Sequence, residues 1–465
     1  MTMRHKILML ATLLAACSGD DPRALSDGAV TPPFVPPPTP PAGETFEQLK
    51  LRMEAEKPAF QARQLALLQA RYDLGDNPGP VVMTRGKPVQ RGVRVRLAPG
   101  MTWQSLAGMS PSDIKAADVF PPGFMPLPHP RHLEGGMLFP HQQIEEVLAQ
   151  TGRDLQRFDL DFDLPDHVLP EFPAAIFLTT RPELGDVSQG QLVTTQNFYR
   201  LFKDKLNAKD LDGLRLLVFP FAQQQFNLID DRRSCEPQLG VACFDCHQNG
   251  HSNGATHLVG DIRPQAERNR IETPSLRGVH LQRLFGSQRA LMSVEDFTEF
   301  EQRAAYFDGD IDKAALKGIN PLDRASQVHH MAELQRLLAF PPAPKLDVFG
   351  KLNTLATAAE LRGQALFVGK ARCAECHDGP AFSDNQMHDL QLERFFAPRV
   401  INDQLANGDG PIKTFPLRGI KESPPYLHDG RLLTLDDTIE FFNLVLGLQL
   451  TQPEKQDLLA YLLVL

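Results

Sequence analysis

The string Cys-x-x-Cys-His occurs twice in this chain, as Cys243-Phe244-Asp245-Cys246-His247 and as Cys373-Ala374-Glu375-Cys376-His377. No other feature constrains the fold so tightly, because each string has to close around one bound group. Its two thiols can each add across a vinyl group of a c-type haem, and the adjacent histidine then reaches the iron. Zinc would need its ligands in one local cluster, yet these pairs stand far apart in the chain. A thioredoxin-like redox pair would have no need of the histidine. Two covalent haem c groups are therefore expected, attached at Cys243, Cys246, Cys373 and Cys376, with His247 and His377 as iron ligands.

From about residue 221 the chain repeats itself. Thr273-Pro274-Ser275-Leu276-Arg277-Gly278 follows the first string and Phe415-Pro416-Leu417-Arg418-Gly419 the second. Laying Leu276 on Leu417 gives an ungapped match in which Arg277, Gly278, Leu291, Asp296, Glu299 and Phe300 recur. Ser293-Val294-Glu295-Asp296 then falls on Thr434-Leu435-Asp436-Asp437, a helix N-cap followed by acids in the first turn. Two copies of one unit account for this. The expected fold is mainly α, with two cytochrome c-like helical haem domains in tandem, 221–345 and 346–465, after a less regular N-terminal region. In the second copy, 358–367 reads as a helix leading into its string. Residues 452–463 read as a terminal helix with Leu458, Leu459, Leu462 and Leu463 on its apolar side. Small c-type cytochromes cross such first and last helices at a small residue, here Gly363.

The N-terminus reads as an export signal. Arg4 and Lys6 precede the apolar run 7–14, which ends at Leu14-Ala15-Ala16-Cys17. That end is similar to a bacterial lipobox, so 1–17 is expected to be a lipoprotein-type signal with Cys17 lipidated. Ser18 fits the outer-membrane class, which places the protein in the periplasm on a lipid anchor. Residues 18–43 form a proline-rich linker favouring polyproline II. Residues 44–220 are an extension of unknown role, with helical patterns at 44–72, 142–149 and 197–217 and a strand pattern at 93–97. Its Trp103 and its histidines 129, 132, 141 and 167 read as core or surface residues, and Cys235 as an inert buried thiol or a minor redox site. A formal charge of −9 argues against nucleic acid and suits a basic redox partner.

With Pro424-Pro425-Tyr426-Leu427-His428-Asp429-Gly430 and Phe382-Ser383-Asp384-Asn385-Gln386-Met387-His388 added to these motifs, residues 221–465 resemble the bacterial di-haem cytochrome c peroxidases and the related MauG-like enzymes. The resemblance implies two facing haem domains with a calcium ion between them. Peroxide would react at the N-terminal haem on His247, with electrons relayed by the C-terminal haem on His377. Three departures stand out. Phe442 occupies the place of the family's methionine or tyrosine ligand, so the second iron is either five-coordinate or served by another residue such as His388 or His428. Of the methionines, only Met387 follows His377, while Met292 and Met331 are candidates after His247. The segment Leu284-Phe285-Gly286-Ser287-Gln288-Arg289 lacks the family's bridging tryptophan. For the family's distal glutamate the repeat offers Glu301, which falls on Phe442; His251 and His257 compete for the role. A partly buried carboxyl can shuttle the proton that O–O cleavage requires.

The leading expectation is an enzyme that reduces hydrogen peroxide, or uses it on a small-molecule substrate or client protein, with a periplasmic electron donor. A non-enzymatic electron-transfer cytochrome and an oxygen-using di-haem oxygenase are the alternatives. Homodimerisation stays open.

Overall fold

The computed structural model describes residues 46–127, 139–155, 164–223, 238–259, 269–301, 324–397, 400–401, 404–405 and 410–465. Cys17, the proline-rich linker, Cys235 and histidines 129 and 132 lie outside them. The described residues are mainly helical, and every sheet among them is a two-stranded pair.

The terminal helix, Gln452–Leu462, starts at a Thr451–Glu454 capping box, and helix Ala358–Val368 starts at the matching Thr357–Glu360 box. They cross at Gly363, where an added Cβ would stand 2.0 Å from the Asp457 carbonyl oxygen. Only glycine lets the two backbones approach so closely. Leu458, Leu459, Leu462 and Leu463 are all buried, as the spacing predicts. A second crossing has the same construction. Gly213 of helix Ala208–Val218 meets helix His329–Leu337, with an added Cβ 2.1 Å from the His330 carbonyl oxygen. Helix Ala208–Val218 precedes residue 221, where the first haem unit is expected to begin. It nevertheless shares a core with Phe244, Met331 and Leu334 of that unit.

The duplication is visible in the backbone. Gly278 and Gly419 both have φ of 72° and open the 3-10 turns Val279–Leu281 and Ile420–Glu422. Bridges Phe285↔Leu291 and Tyr426↔Leu432 follow, in the register that lays Leu276 on Leu417. Helices Val294–Phe300 and Leu435–Val445 come next. Ser293 caps the first by accepting from the Asp296 amide, and Thr434 caps the second by accepting from the Asp437 amide.

The extension packs in two halves. Helix Phe46–Arg71 and the loops up to Leu127 bury Leu68, Tyr72, Phe120 and Phe124 with Phe395, Phe441 and Leu433 of the second unit. Each such side chain, fully buried, contributes roughly 1.5–3 kcal/mol relative to exposure. The later half puts Ile176, Leu178 and Val193 into the first unit's core. Strand Phe177–Leu178 pairs with Leu338–Ala339. The extension thus shares its cores with both repeats rather than forming a body apart.

Two local expectations are corrected. The 93–97 alternation does not make a strand; only Val95 forms a bridge, to Tyr72. The amides of Arg94 and Val95 donate instead to the Asp437 carboxylate, at 2.7 and 3.0 Å, so no ladder partner is needed. The 197–217 pattern is two helices, Phe198–Phe202 and Ala208–Val218, because the Asn207 side chain accepts from the Asp210 amide and restarts the helix. The 142–149 pattern is helix His141–Thr151. Trp103 lies against Phe124 with ring centroids 5.5 Å apart, a packing role.

Candidate haem-binding cavity

Both Cys-x-x-Cys-His strings form single turns. Cys243–Cys246 is a helical turn in which Asp245 accepts from the Ala242 amide and pairs with Arg153 of the extension through two hydrogen bonds of 2.7 and 2.9 Å. Cys373–Glu375 is a 3-10 turn after Arg372, whose φ is 58°. All four cysteines are free thiols. Burial pushes Cys243 up to about 12, with Glu301 and then Asp245 adding to it, and burial likewise pushes Cys373 up to about 12. Among the described residues, none of the four belongs to a group of metal-ligating side chains.

The two histidines are held alike. His247 Nδ1 lies 2.8 Å from the Pro274 carbonyl oxygen, and His377 Nδ1 lies 2.9 Å from the Phe382 carbonyl oxygen. A carbonyl can only accept, so each Nδ1 carries the proton and each Nε2 the lone pair. This is the outer hydrogen bond that orients an iron-ligating imidazole. Burial lowers His247 to about 4 and also lowers His377, which keeps both rings neutral and able to ligate.

Both histidines, with Cys246, Cys373 and Cys376, line one cavity of about 430 Å³. Its walls are largely apolar and come from both repeats, among them Leu276, Phe285, Tyr426 and Phe441. Free thiols, Nδ1-anchored histidines and apolar walls are what a covalently held macrocycle requires. The residues present fit haem c at both strings.

Glu301, the C-cap of helix Val294–Phe300, lines this cavity, and so does Phe442, its counterpart in the repeat. His251 is engaged at both nitrogens. Its Nε2 lies 2.8 Å from the Glu422 carbonyl oxygen, and its Nδ1 lies 2.8 Å from Ser275 Oγ. Nε2 therefore donates, Nδ1 accepts, and His251 ties the two repeats together with nothing left to offer a substrate. His257 pairs through its backbone with Ile271 in a short strand pair. His388 lines the cavity with Nε2 2.7 Å from Asp384 Oδ2, and His428 lines it too. Phe442 packs its ring against Phe441, with centroids 5.2 Å apart, and offers no ligand atom. Met292 is 79% exposed and Met331 is core, so neither reaches the cavity.

Two cavity residues were missed from sequence. Glu272 and Lys413 occupy equivalent places in the repeat, and both are buried. Burial raises Glu272 well above the usual carboxylate range, and burial lowers Lys413 to about 8. Extending the repeat alignment a few residues towards the N-terminus would have paired them.

Comparison with characterised proteins agrees with this chemistry. The chain is 25% identical over 283 residues to cytochrome-c peroxidase IdrP2 of Pseudomonas sp. (strain SCT), covering 49% of this chain and 76% of that protein. It is 30% identical over 158 residues to cytochrome-c peroxidase IdrP1 of the same organism, covering 24% of this chain and 41% of the relative. It is 31% identical over 154 residues to the methylamine utilization protein MauG of Methylorubrum extorquens, covering 28% and 41%. A solved MauG-like protein associated with microbial copper homeostasis shares 20% identity at a TM-score of 0.37, too low to bear on the fold. No family model matches the chain.

Proposed function

We infer that this relative of the cytochrome-c peroxidases and MauG is a di-haem, peroxidase-like oxidoreductase, with peroxide handled beside His247 and electrons relayed through the site of His377. One observation carries the reading: both carbonyl-anchored histidines line a single cavity, and an acid, Glu301, shares it. When bound, haem c supplies an iron able to exchange single electrons and to meet peroxide.

The chain's own residues do the rest. Pro274 and Phe382 fix the two imidazoles in the ligating tautomer. Apolar walls keep bulk water from the reacting atoms. The Glu301 carboxylate takes a proton from one peroxide oxygen and returns it to the other as the O–O bond breaks, a task for which positioned carboxyls typically supply about 10²–10⁴-fold. The balance is one peroxide, two electrons and two protons to two waters. The same chemistry serves oxidation of a small molecule or a client protein when that supplies the electrons. Phe442 offers no ligand atom to a haem at the second string, so His388 or His428 would hold it opposite His377, or no side chain would. Export, the lipid anchor at Cys17, periplasmic placement at the outer membrane, and a calcium ion between the haem units complete the proposal.

The test is peroxide consumption by the holo-protein with a supplied reductant. Catalysed consumption is expected. Its absence, with both haems inert, would leave an electron carrier; dioxygen binding by the ferrous protein without peroxide turnover would indicate an oxygenase.

A further inference from the structure

Lys413 is a buried cation whose charge no carboxylate balances among the described residues. Its residue is 3% exposed and lines the cavity shared by the two haem strings. The strand that carries it, Ile412–Lys413, pairs with Met387–His388 of the second repeat. The side chain nevertheless reaches the first repeat. Lys413 Nζ donates to Gln282 Oε1 at 3.1 Å and lies 5.4 Å from the centroid of Phe285. The backbone closes the same seam, the Lys413 amide donating to the Ser287 carbonyl oxygen at 2.9 Å. An ammonium has three protons to give, and the amide oxygen of Gln282 takes one.

The neighbour nearest in charge makes the imbalance worse. Arg289 disfavours the charged form of Lys413, and its own Nε is buried without a hydrogen-bond acceptor. Its Nη1 donates only to a neutral amide, Gln386 Oε1, at 3.1 Å. Two cations therefore meet at the inter-repeat seam, and no acid pairs with either among the described residues. Leaving a charge buried and unpaired is costly enough that buried cations are normally matched by an anion. The equivalent place in the first repeat shows the contrast: there the residue is Glu272, whose carboxylate accepts from Ser252 Oγ.

We propose that Lys413, with Arg289 beside it, is the anchor for a carboxylate at the seam, and that this carboxylate is a haem propionate. The proposal rests on the di-haem reading, because each haem c brings carboxylates into this cavity. It gives the segment Leu284-Phe285-Gly286-Ser287-Gln288-Arg289, which lacks the family's tryptophan, a defined role in seating the macrocycle. A cation paired with a propionate also stabilises the reduced iron, so Lys413 is a positioning residue that sets the potential of one site.

The test compares holo-proteins of wild type, Lys413→Met and Lys413→Arg by pyridine haemochrome haem count and by redox titration at a single pH. Two haems per chain are expected in all three. In K413M one of the two midpoint potentials falls by about 59 mV, which is tenfold in a one-electron equilibrium, while K413R keeps both potentials. Unchanged potentials in K413M, or an equal fall in K413R, overturn the proposal. A wild type without two haems overturns instead the di-haem reading on which it rests. Acetate separates the sources of carboxylate: an anchor already filled by propionate leaves the wild-type spectrum insensitive to it. A shift with acetate in wild type that K413M lacks shows a site open to solution carboxylates and overturns the propionate assignment.

Discussion

Arg277 of the first repeat and Glu422 of the second form a buried ion pair, Nη1 to Oε2 at 2.9 Å, with side chains 5% and 4% exposed. The pair joins more than the repeats. Arg277 Nη2 donates to the Ala175 carbonyl oxygen at 2.6 Å, and Glu422 Oε1 accepts from the Thr84 amide at 2.9 Å. Both halves of the extension therefore end on the same two side chains, of which Arg277 lines the cavity shared by the two strings.

Removing one partner leaves the other charge buried alone, which costs about 3–5 kcal/mol, whereas replacing both with apolar groups costs far less. Glu422→Gln is expected to lose that much stability in denaturant unfolding, and the double variant R277M/E422M to recover most of it. Equal losses in the single and double variants would show that the pair does not carry the junction.

Gly363→Ala sets a methyl against the Asp457 carbonyl, at a distance no real Cβ tolerates. Overpacking of this kind costs about 1–3 kcal/mol. A lower melting temperature is expected, together with weaker haem retention at the second string, where the helix carrying Gly363 leads into Cys373. An unchanged melting temperature would mean that the helices part without penalty.

Asp437 gives a pH dependence with a definite sign. Burial raises its carboxyl to about 7, against the opposing donors Val95 and Arg94. The folded chain therefore holds a proton that the unfolded chain has released. The contribution is complete below the ordinary carboxylate pKa of about 4 and fades as pH rises through about 7. Wild-type stability minus that of Asp437→Asn should fall from pH 4 to 7, as measured by denaturant unfolding. A flat or rising difference would refute the assignment.

Much of this was legible in the sequence, for identifiable reasons. Helix 452–462 announces itself through the apolar spacing of Leu458, Leu459, Leu462 and Leu463, helix 358–368 through its place before the second string, and the repeat through Arg277 and Arg418. Local rules sufficed there. They failed at 93–97, where a carboxylate more than three hundred residues away replaces a neighbouring strand, and at residue 221, where Gly213 already belongs to the first unit's helix crossing. His251 looked like a loop histidine open to a substrate; its partners Ser275 and Glu422 come from distant segments. Lys413 and Glu272 escaped because their importance lies in burial, which periodicity over a two-residue strand cannot show.

Covalent attachment can be counted. Cys373→Ser with Cys376→Ser should leave one haem c per chain by pyridine haemochrome absorbance, and the same change at Cys243 and Cys246 should leave the other. Retention of two covalent haems in either variant would contradict the assignment of the strings.

The central claim is a peroxide-reactive iron at His247 with Glu301 as its acid. Optical and electron paramagnetic spectra of the ferric holo-protein, recorded before and after peroxide, test it most directly. The account predicts a high-spin component that peroxide converts, and a conversion slowed about 10²–10⁴-fold in Glu301→Gln. Two low-spin irons inert to peroxide, or an E301Q variant that reacts as fast as wild type, would contradict it.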